Sequence, residues 1–187
     1  MKTIKLFPGI ETVFAGEFEE NKKHFMPLAT IDLASIDASL TGPIHLVYYN
    51  DDPYCEETIE FLNDFCDEDK SSFDIIDGKY RFKADFGFFK TNDDWVEWLA
   101  MGKKSYLENS SKYQSEQHLE ISEVIRNIGG EPEWAQDENW PINQQGEKLR
   151  FICQASSYEF VDDNCGEEIF LFYDKTNQMA VQIHQVD

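Results

Sequence analysis

The dipeptide Asp77-Gly78 constrains this chain more than any other feature. It sits inside FDIIDGKYRFKADFGFF, where Tyr80, Phe82, Ala84, Phe86 and Phe88 alternate with Arg81, Lys83, Asp85 and Gly87. A two-residue hairpin turn needs positive φ at both central positions, which Asp-Gly adopts at little cost. Period-two alternation puts the aromatic side chains on one face of a strand. An antiparallel sheet with a buried aromatic face is therefore expected. The composition can fill such a core, because 41% of residues are hydrophobic and 15 are Phe, far too apolar for a disordered chain.

Other segments follow the same logic. Ile10–Phe18 reads as strand-like, Phe25–Leu33 as extended, and IHLVYYN after the turn Thr41-Gly42-Pro43 as a strand. Asp52 before Pro53, followed by Glu56 and Glu57, has the form of a helix start, which predicts a helix over about 53–66 with Ile59, Leu62, Phe65 and Cys66 on one stripe. A second helix is expected over about 92–101, opened by Thr91 and Asp94, packing Trp95, Trp98 and Leu99, and closed by Gly102. Three strands follow at 149–154, 167–174 and 178–186, the last two joined by Lys175-Thr176-Asn177, with Met179, Val181 and Ile183 on one face. The expected fold is α+β: mainly antiparallel β-sheets in two related halves, with two or three packed helices. Residues 1–102 form the N-terminal half in this reading, 103–118 a polar linker and 119–187 the C-terminal β half.

The halves are related by a match at an offset of 124 residues. Leu28 falls on Ile152, Gly42 on Gly166, Leu46 on Phe170, Val47 on Leu171, Tyr48 on Phe172 and Tyr49 on Tyr173. Such a repeat implies two copies of one strand-loop-strand unit, with a seam suited to a pocket.

The segment IGGEPEWAQDENWP, residues 128–141, holds two glycines, two prolines and two tryptophans. Gly129 and Gly130 allow a positive-φ bend, while Pro132 and Pro141 fix the chain around it. Trp140, held extended before a proline, is expected to lie across a sheet face. Trp134, among Glu133, Gln136, Asp137 and Glu138, is expected to face water and be free for a partner. A phosphate loop is excluded, since no helix follows the glycines and Glu131 and Glu133 repel anions.

Gly129-Gly130, Pro132, Trp140-Pro141, Gly146, Leu149, Phe151 and Gln154 follow the order GG-x-P … WP … G-x-x-L-x-F-x-x-Q. This resembles the YwqG-like family of bacterial domains, distantly related to programmed cell death protein 2. In that family the glutamine strand is followed by a strand rich in Phe and Tyr, which Gly166–Asp174 fits. Pro27–Asn50 looks like the same element in its other copy, without the GG-x-P and WP residues. The resemblance implies a β-rich, two-part fold and carries no activity.

Thirty-seven acids against sixteen bases give a net charge of −21. Such a field disfavours nucleic acids and anionic membranes and favours a basic protein. Apolar runs are too short for a spanning helix, no secretory leader is expected, and the four cysteines lack any CxxC, in keeping with reduced thiols in the cytoplasm. No GxSxG, HExxH, Walker or dinucleotide pattern occurs. Cys153 with His184 is the nearest approach to a zinc or nucleophile pair. The acid pairs Asp51-Asp52, Asp93-Asp94 and Asp162-Asp163 lack calcium-loop spacing. The expectation is a non-enzymatic adaptor or immunity-type binding module without metal, cofactor or catalytic residues, contacting a basic protein through Trp134, Glu131, Glu133 and Gln154. The alternative is a small-molecule or metal-dependent enzyme with its site at the seam.

Overall fold

A computed structural model describes residues 4–49, 56–89, 93–117, 119–161 and 166–186. Strand β1 (Ile4–Leu6) precedes two short helices, α1 (Ile10–Val13) and α2 (Phe18–His24). Strands β2 (Phe25–Asp32) and β3 (Pro43–Tyr49) complete a three-stranded antiparallel sheet in the order β1-β2-β3. Strands β4 (Lys70–Ile76) and β5 (Lys79–Phe82) form the expected hairpin. Helix α3 (Val96–Glu116) and helix α4 (Ile121–Val124) come next, then β6 (Ile125–Arg126), β7 (Arg150–Ser156), β8 (Glu167–Asp174) and β9 (Met179–Val186). The second sheet has six strands in the order β5-β4-β9-β8-β7-β6, all neighbours antiparallel. The fold is α+β with two antiparallel sheets.

The repeat is visible in the hydrogen bonding. The β2–β3 ladder is interrupted at Leu28 and the β7–β8 ladder at Ile152, equivalent positions 124 residues apart. The carbonyl of each bulged residue accepts a bond from outside its own hairpin, Leu28 from the Phe7 N–H and Ile152 from the Gly129 N–H, both at 2.8 Å. A 3-10 turn follows each first strand, at Leu33–Ser35 and at Ser157–Glu159. The outer strands correspond too, since Ile4 faces Ile31 and Ile125 faces Ala155. The return strand is displaced by one residue from the sequence match: Met26 faces Tyr48 whereas Arg150 faces Tyr173, so Tyr48 takes the place of Tyr173. A bulge adds a residue on one side only and kinks the strand; since both copies carry it at the same place, the displacement comes from the connection, residues 32–43 between the paired Ile31 and Ile44 but 156–168, one residue more, between Ala155 and Ile169.

Both faces of β8 are covered. Ile169, Leu171 and Tyr173 join the main core, while Phe170 and Phe172 join a smaller cluster on the outer face. This is why EEIFLFYD reads as a continuous apolar run rather than an alternating one. The main core is a stack of rings, with Phe25 against Phe14, Phe73, Phe82 and Phe89 at centroid distances of 5.0–5.5 Å.

Several expectations are corrected. Ile10–Phe18 is not a strand, because α1 occupies it and α2 starts at Phe18 with Glu19 and Glu20 in the first turn and Lys22, Lys23 and His24 in the last, an arrangement matched to the helix dipole. The alternation past Phe82 is not a strand either, since Phe86–Phe89 forms a 3-10 turn that still buries Phe88 and Phe89. The helix expected over 53–66 is a 3-10 helix at Glu56–Phe61, followed by a narrow loop closed between Asn63 and Cys66; its Asp52-Pro53 start lies outside the described residues. The Thr91 start of the second helix is outside them as well. That helix does not stop at Gly102, which is buried within it, and residues 103–116 of the expected linker are its last two thirds. Packing holds it: the Tyr106 hydroxyl donates to Pro27 O at 2.8 Å, Lys103 Nζ to Phe25 O at 3.0 Å and Asn109 Nδ2 to Phe160 O at 3.1 Å. Tertiary contacts override weak helix propensity. No helix among the described residues is long and apolar enough to cross a membrane.

Strand β3 is an edge of its sheet, yet its outward backbone groups are paired by side chains from the other sheet. The Tyr80 hydroxyl accepts from His45 N–H (2.8 Å) and donates to His45 O (2.5 Å). The Gln182 amide accepts from Val47 N–H (2.8 Å) and donates to Val47 O (2.7 Å). The seam between the two sheets is thus closed here by side chains that imitate a strand.

The His45 imidazole is buried beside this contact, its ring nitrogens 2.9 Å from Thr30 Oγ1 and from Gly78 O. Burial lowers its pKa from 6.5 to about 4. The folded chain therefore refuses a proton that the unfolded chain accepts between these values, so stability falls as pH drops from 6.5 towards 4. Denaturant midpoints of wild type and His45→Asn across this window are expected to converge in acid; parallel curves would show that His45 does not supply the slope.

Candidate functional site

The segment 127–149 folds over the outer face of the six-stranded sheet, and two buried glutamines hold it. Gln154 Oε1 accepts from Glu133 N–H and from Asn127 Nδ2, both at 2.9 Å, while its Nε2 donates to Glu133 O at 3.2 Å and Glu168 Oε2 at 3.0 Å. Gln185 Oε1 accepts from Ala135 N–H (3.1 Å) and Gln136 N–H (3.0 Å), and its Nε2 donates to Asp137 O (2.8 Å). Glu168 also pairs with Arg126. Gly129 and Gly130 have φ of 71° and 80°, the bend expected of them, and Pro132 is buried. Gln154, expected as a binding residue, spends its amide on the loop backbone. Glu131 and Glu133 have exposed side chains.

Trp140 lies across the sheet as expected. Its Nε1–H donates to Leu149 O at 2.9 Å, its ring is 5.7 Å from that of Phe172, and Lys148 Nζ sits 4.3 Å from its centroid. Trp134 does not stand out in water. Its ring is 4.7 Å from Phe170 and 6.3 Å from Trp140, in the same outer cluster. The acids beside it stay in water, but the Gln185 clamp turns the loop's backbone groups inward and drops the indole onto the sheet. Truncation of a buried Trp costs about 3–5 kcal/mol; both rings are half-buried, so Trp134→Ala and Trp140→Ala are each expected to lose about 2–3 kcal/mol in chemical denaturation. A loss confined to Trp140→Ala would restore the exposed placement of Trp134.

Beside this loop the outer face stays open. A groove of about 610 Å³ has Leu149, Met179, Val181 and Ile183 as its floor and Trp140–Gln144 as one wall. Asp64, Phe65 and Lys83 form the other wall, with Lys70 and Asp74 at the rim. Lys83 Nζ is 2.8 Å from Asp74 and 4.0 Å from the Phe65 centroid, and Lys70 Nζ is 2.6 Å from Asp67. Burial pushes the Asp74 carboxyl up, but hydrogen bonds from Lys83 and Arg81 outweigh it and hold the group below the usual range. Ile142 projects from the wall with 63% of its surface exposed. No sequence pattern marked this groove, because its walls come from four separate segments.

A second polar cluster lies on the inner face of the same sheet. His184 Nδ1 is 3.1 Å from Glu167 Oε2, and its ring is 4.5 Å from that of Tyr49. The hydroxyls of Tyr49 and Ser71 are buried without a well-aligned hydrogen bond. Burial, then the Glu167 charge, raises the Tyr49 pKa, and burial pushes the Cys66 thiol up to about 12.

The Cys153–His184 pair does not form. Cys153 on β7 faces Leu171 and His184 on β9 faces Ile169, with β8 between them, and burial holds the thiol protonated. Cys55, Cys165, His118, Asp51-Asp52 and Asp162-Asp163 lie outside the described residues. Asp93 opens a 3-10 turn. Among the described residues no group of three His, Cys, Asp or Glu could hold a metal ion. The chain matches no protein-family model, no curated protein and no solved structure.

Proposed function

We propose that the chain is a cytoplasmic, non-enzymatic binding module of the YwqG-like kind, of adaptor or immunity type, engaging a basic protein. The observation that carries this reading is the open groove beside the GG-x-P and WP loop, with an aliphatic floor and a rim of charged and amide side chains. Its floor offers aliphatic surface, and its wall the Trp140 ring, for a partner's apolar side chains. The net charge of −21 supplies attraction for the cations around them, an attraction that salt weakens. Affinity capture from native lysate at low and high salt tests it, with Ile142→Asp as the comparison. A basic protein retained at low salt, reduced at high salt and lost with Ile142→Asp is expected. Equal retention by wild type and Ile142→Asp would remove the groove from the reading.

A second reading, a small-molecule enzyme at the seam, rests on the Glu167–His184 pair beside the buried hydroxyls of Tyr49 and Ser71, an orientation in which Glu167 fixes the imidazole for proton transfer. Screening ester, amide and phosphoester hydrolysis with wild type and His184→Gln tests it; turnover unchanged in His184→Gln would sink it.

A further inference from the structure

We propose that the outward face of helix α3 is a self-association surface on which a second copy of this chain docks antiparallel. Nine large apolar side chains are exposed among the described residues, and four of them, Trp95, Val96, Met101 and Leu107, belong to this helix and the turn before it. Val96, Ala100, Leu107 and Ser111 fall on one stripe at helical spacing, opposite the side that buries Gly102 and Tyr106. Ala100, Lys104, Leu107, Glu108 and Ser111 line a shallow depression there, in which the small residues allow another backbone to come close.

Charge identifies the occupant. The chain carries −21 overall, but α3, with Lys103 Nζ turned onto Lys22 O and Phe25 O, sets Lys104 and Lys112 against Glu97, Glu108 and Glu116, an excess of one negative charge that leaves it close to neutral. A basic partner gains little from a nearly neutral face. A like-charged copy, by contrast, needs such a face, because elsewhere two acidic surfaces repel. Lys104 and Glu108 are exposed, 3.8 Å apart, one helical turn from each other. An antiparallel pair about a two-fold axis near residues 105–106 brings Lys104 of each copy to Glu108 of the other, flanking the two Leu107 side chains. A C2 contact of this kind is self-complementary, and one helix pair makes a small interface of the weak, concentration-dependent class.

Salt separates this inference from the groove: screening relieves the repulsion between copies, so association strengthens with ionic strength, whereas capture of a basic partner weakens. The test is analytical ultracentrifugation of the full chain from about 1 to about 200 µM, a range suited to weak interfaces, at about 50 and about 500 mM NaCl. A monomer–dimer equilibrium shifted towards dimer by salt is expected. Leu107→Glu and Lys104→Glu should each weaken it by about tenfold or more, the exchange Lys104→Glu with Glu108→Lys should restore it, and Ile142→Asp should leave it unchanged. Far-UV circular dichroism identifies any variant that has lost its helix. A monomer at every concentration in both salts, a dimer weakened by salt, or Leu107→Glu associating like wild type overturns the proposal. An exchange variant as weak as Lys104→Glu overturns the antiparallel docking.

Discussion

Gln182→Leu is expected to lower the free energy of unfolding by about 3–5 kcal/mol, because each buried backbone group left without a partner costs about 1–3 kcal/mol. The side chain is fully buried and its amide serves both polar groups of Val47, at 2.8 and 2.7 Å. Leucine fills nearly the same volume, so the loss comes from hydrogen bonding rather than from a cavity. Domains of this size are stable by about 5–15 kcal/mol, which places the variant near the unfolding threshold. Gln182→Glu should not rescue it. A carboxylate can accept from Val47 N–H, but it sets a buried negative charge against Val47 O. Equilibrium denaturation in urea gives the result, and a loss under about 1 kcal/mol, the net worth of one ordinary hydrogen bond, would mean that water enters the seam and takes over the role.

Gly78→Val is expected to cost about 3 kcal/mol, combining left-handed backbone strain with overpacking. Asp77 and Gly78 have φ of 51° and 77°, so both turn positions are left-handed, and valine is among the residues least able to follow. A Cβ on Gly78 would also lie 2.9 Å from Pro43 Cγ, where β3 begins. The Gly78 carbonyl meanwhile holds the His45 ring, so a shift that relieves the clash moves the imidazole. Gly78→Ala keeps the clash with less backbone strain, and Pro43→Ala in the Gly78→Val background should recover part of the loss. If Gly78→Val matched the parent in denaturant, neither strain nor contact would operate at this turn.

Local rules found the strands where one rule sufficed. EEIFLFYD is β8 from its first residue to its last, and Asp-Gly marked the β4–β5 turn because only a left-handed pair closes it. They failed where distant contacts decide. Residues 103–116 of helix α3 read as a polar linker because Leu107 stands there among lysines, glutamates and serines, and the bonds that hold them go to Pro27, Phe25 and Phe160. Trp134 looked solvent-seeking from its acidic neighbours, whereas Gln185, some fifty positions on, fixes the loop. Of the residues expected to bind a partner, Glu131 and Glu133 remain outward, while Trp134 and Gln154 hold the loop. The groove itself was invisible, since proximity of Phe65, Trp140 and Ile183 follows from sheet order and from no pattern along the chain.

The way β3 is finished off has a consequence for how the chain emerges during synthesis. His45 and Tyr80 are 35 positions apart, and Val47 and Gln182 are 135 apart. At about 5–20 residues per second the first contact can form within roughly 2–7 s of β3 leaving the ribosome, and the second only after roughly 7–27 s. During that interval the nascent chain carries a strand with one end covered and the other open, the kind of edge that recruits another chain. Tyr80 shortens the exposed stretch early, and Gln182, on β9, closes it. A ribosome that stalls between the two leaves behind a chain with most of its core sequence present and one adhesive strand edge.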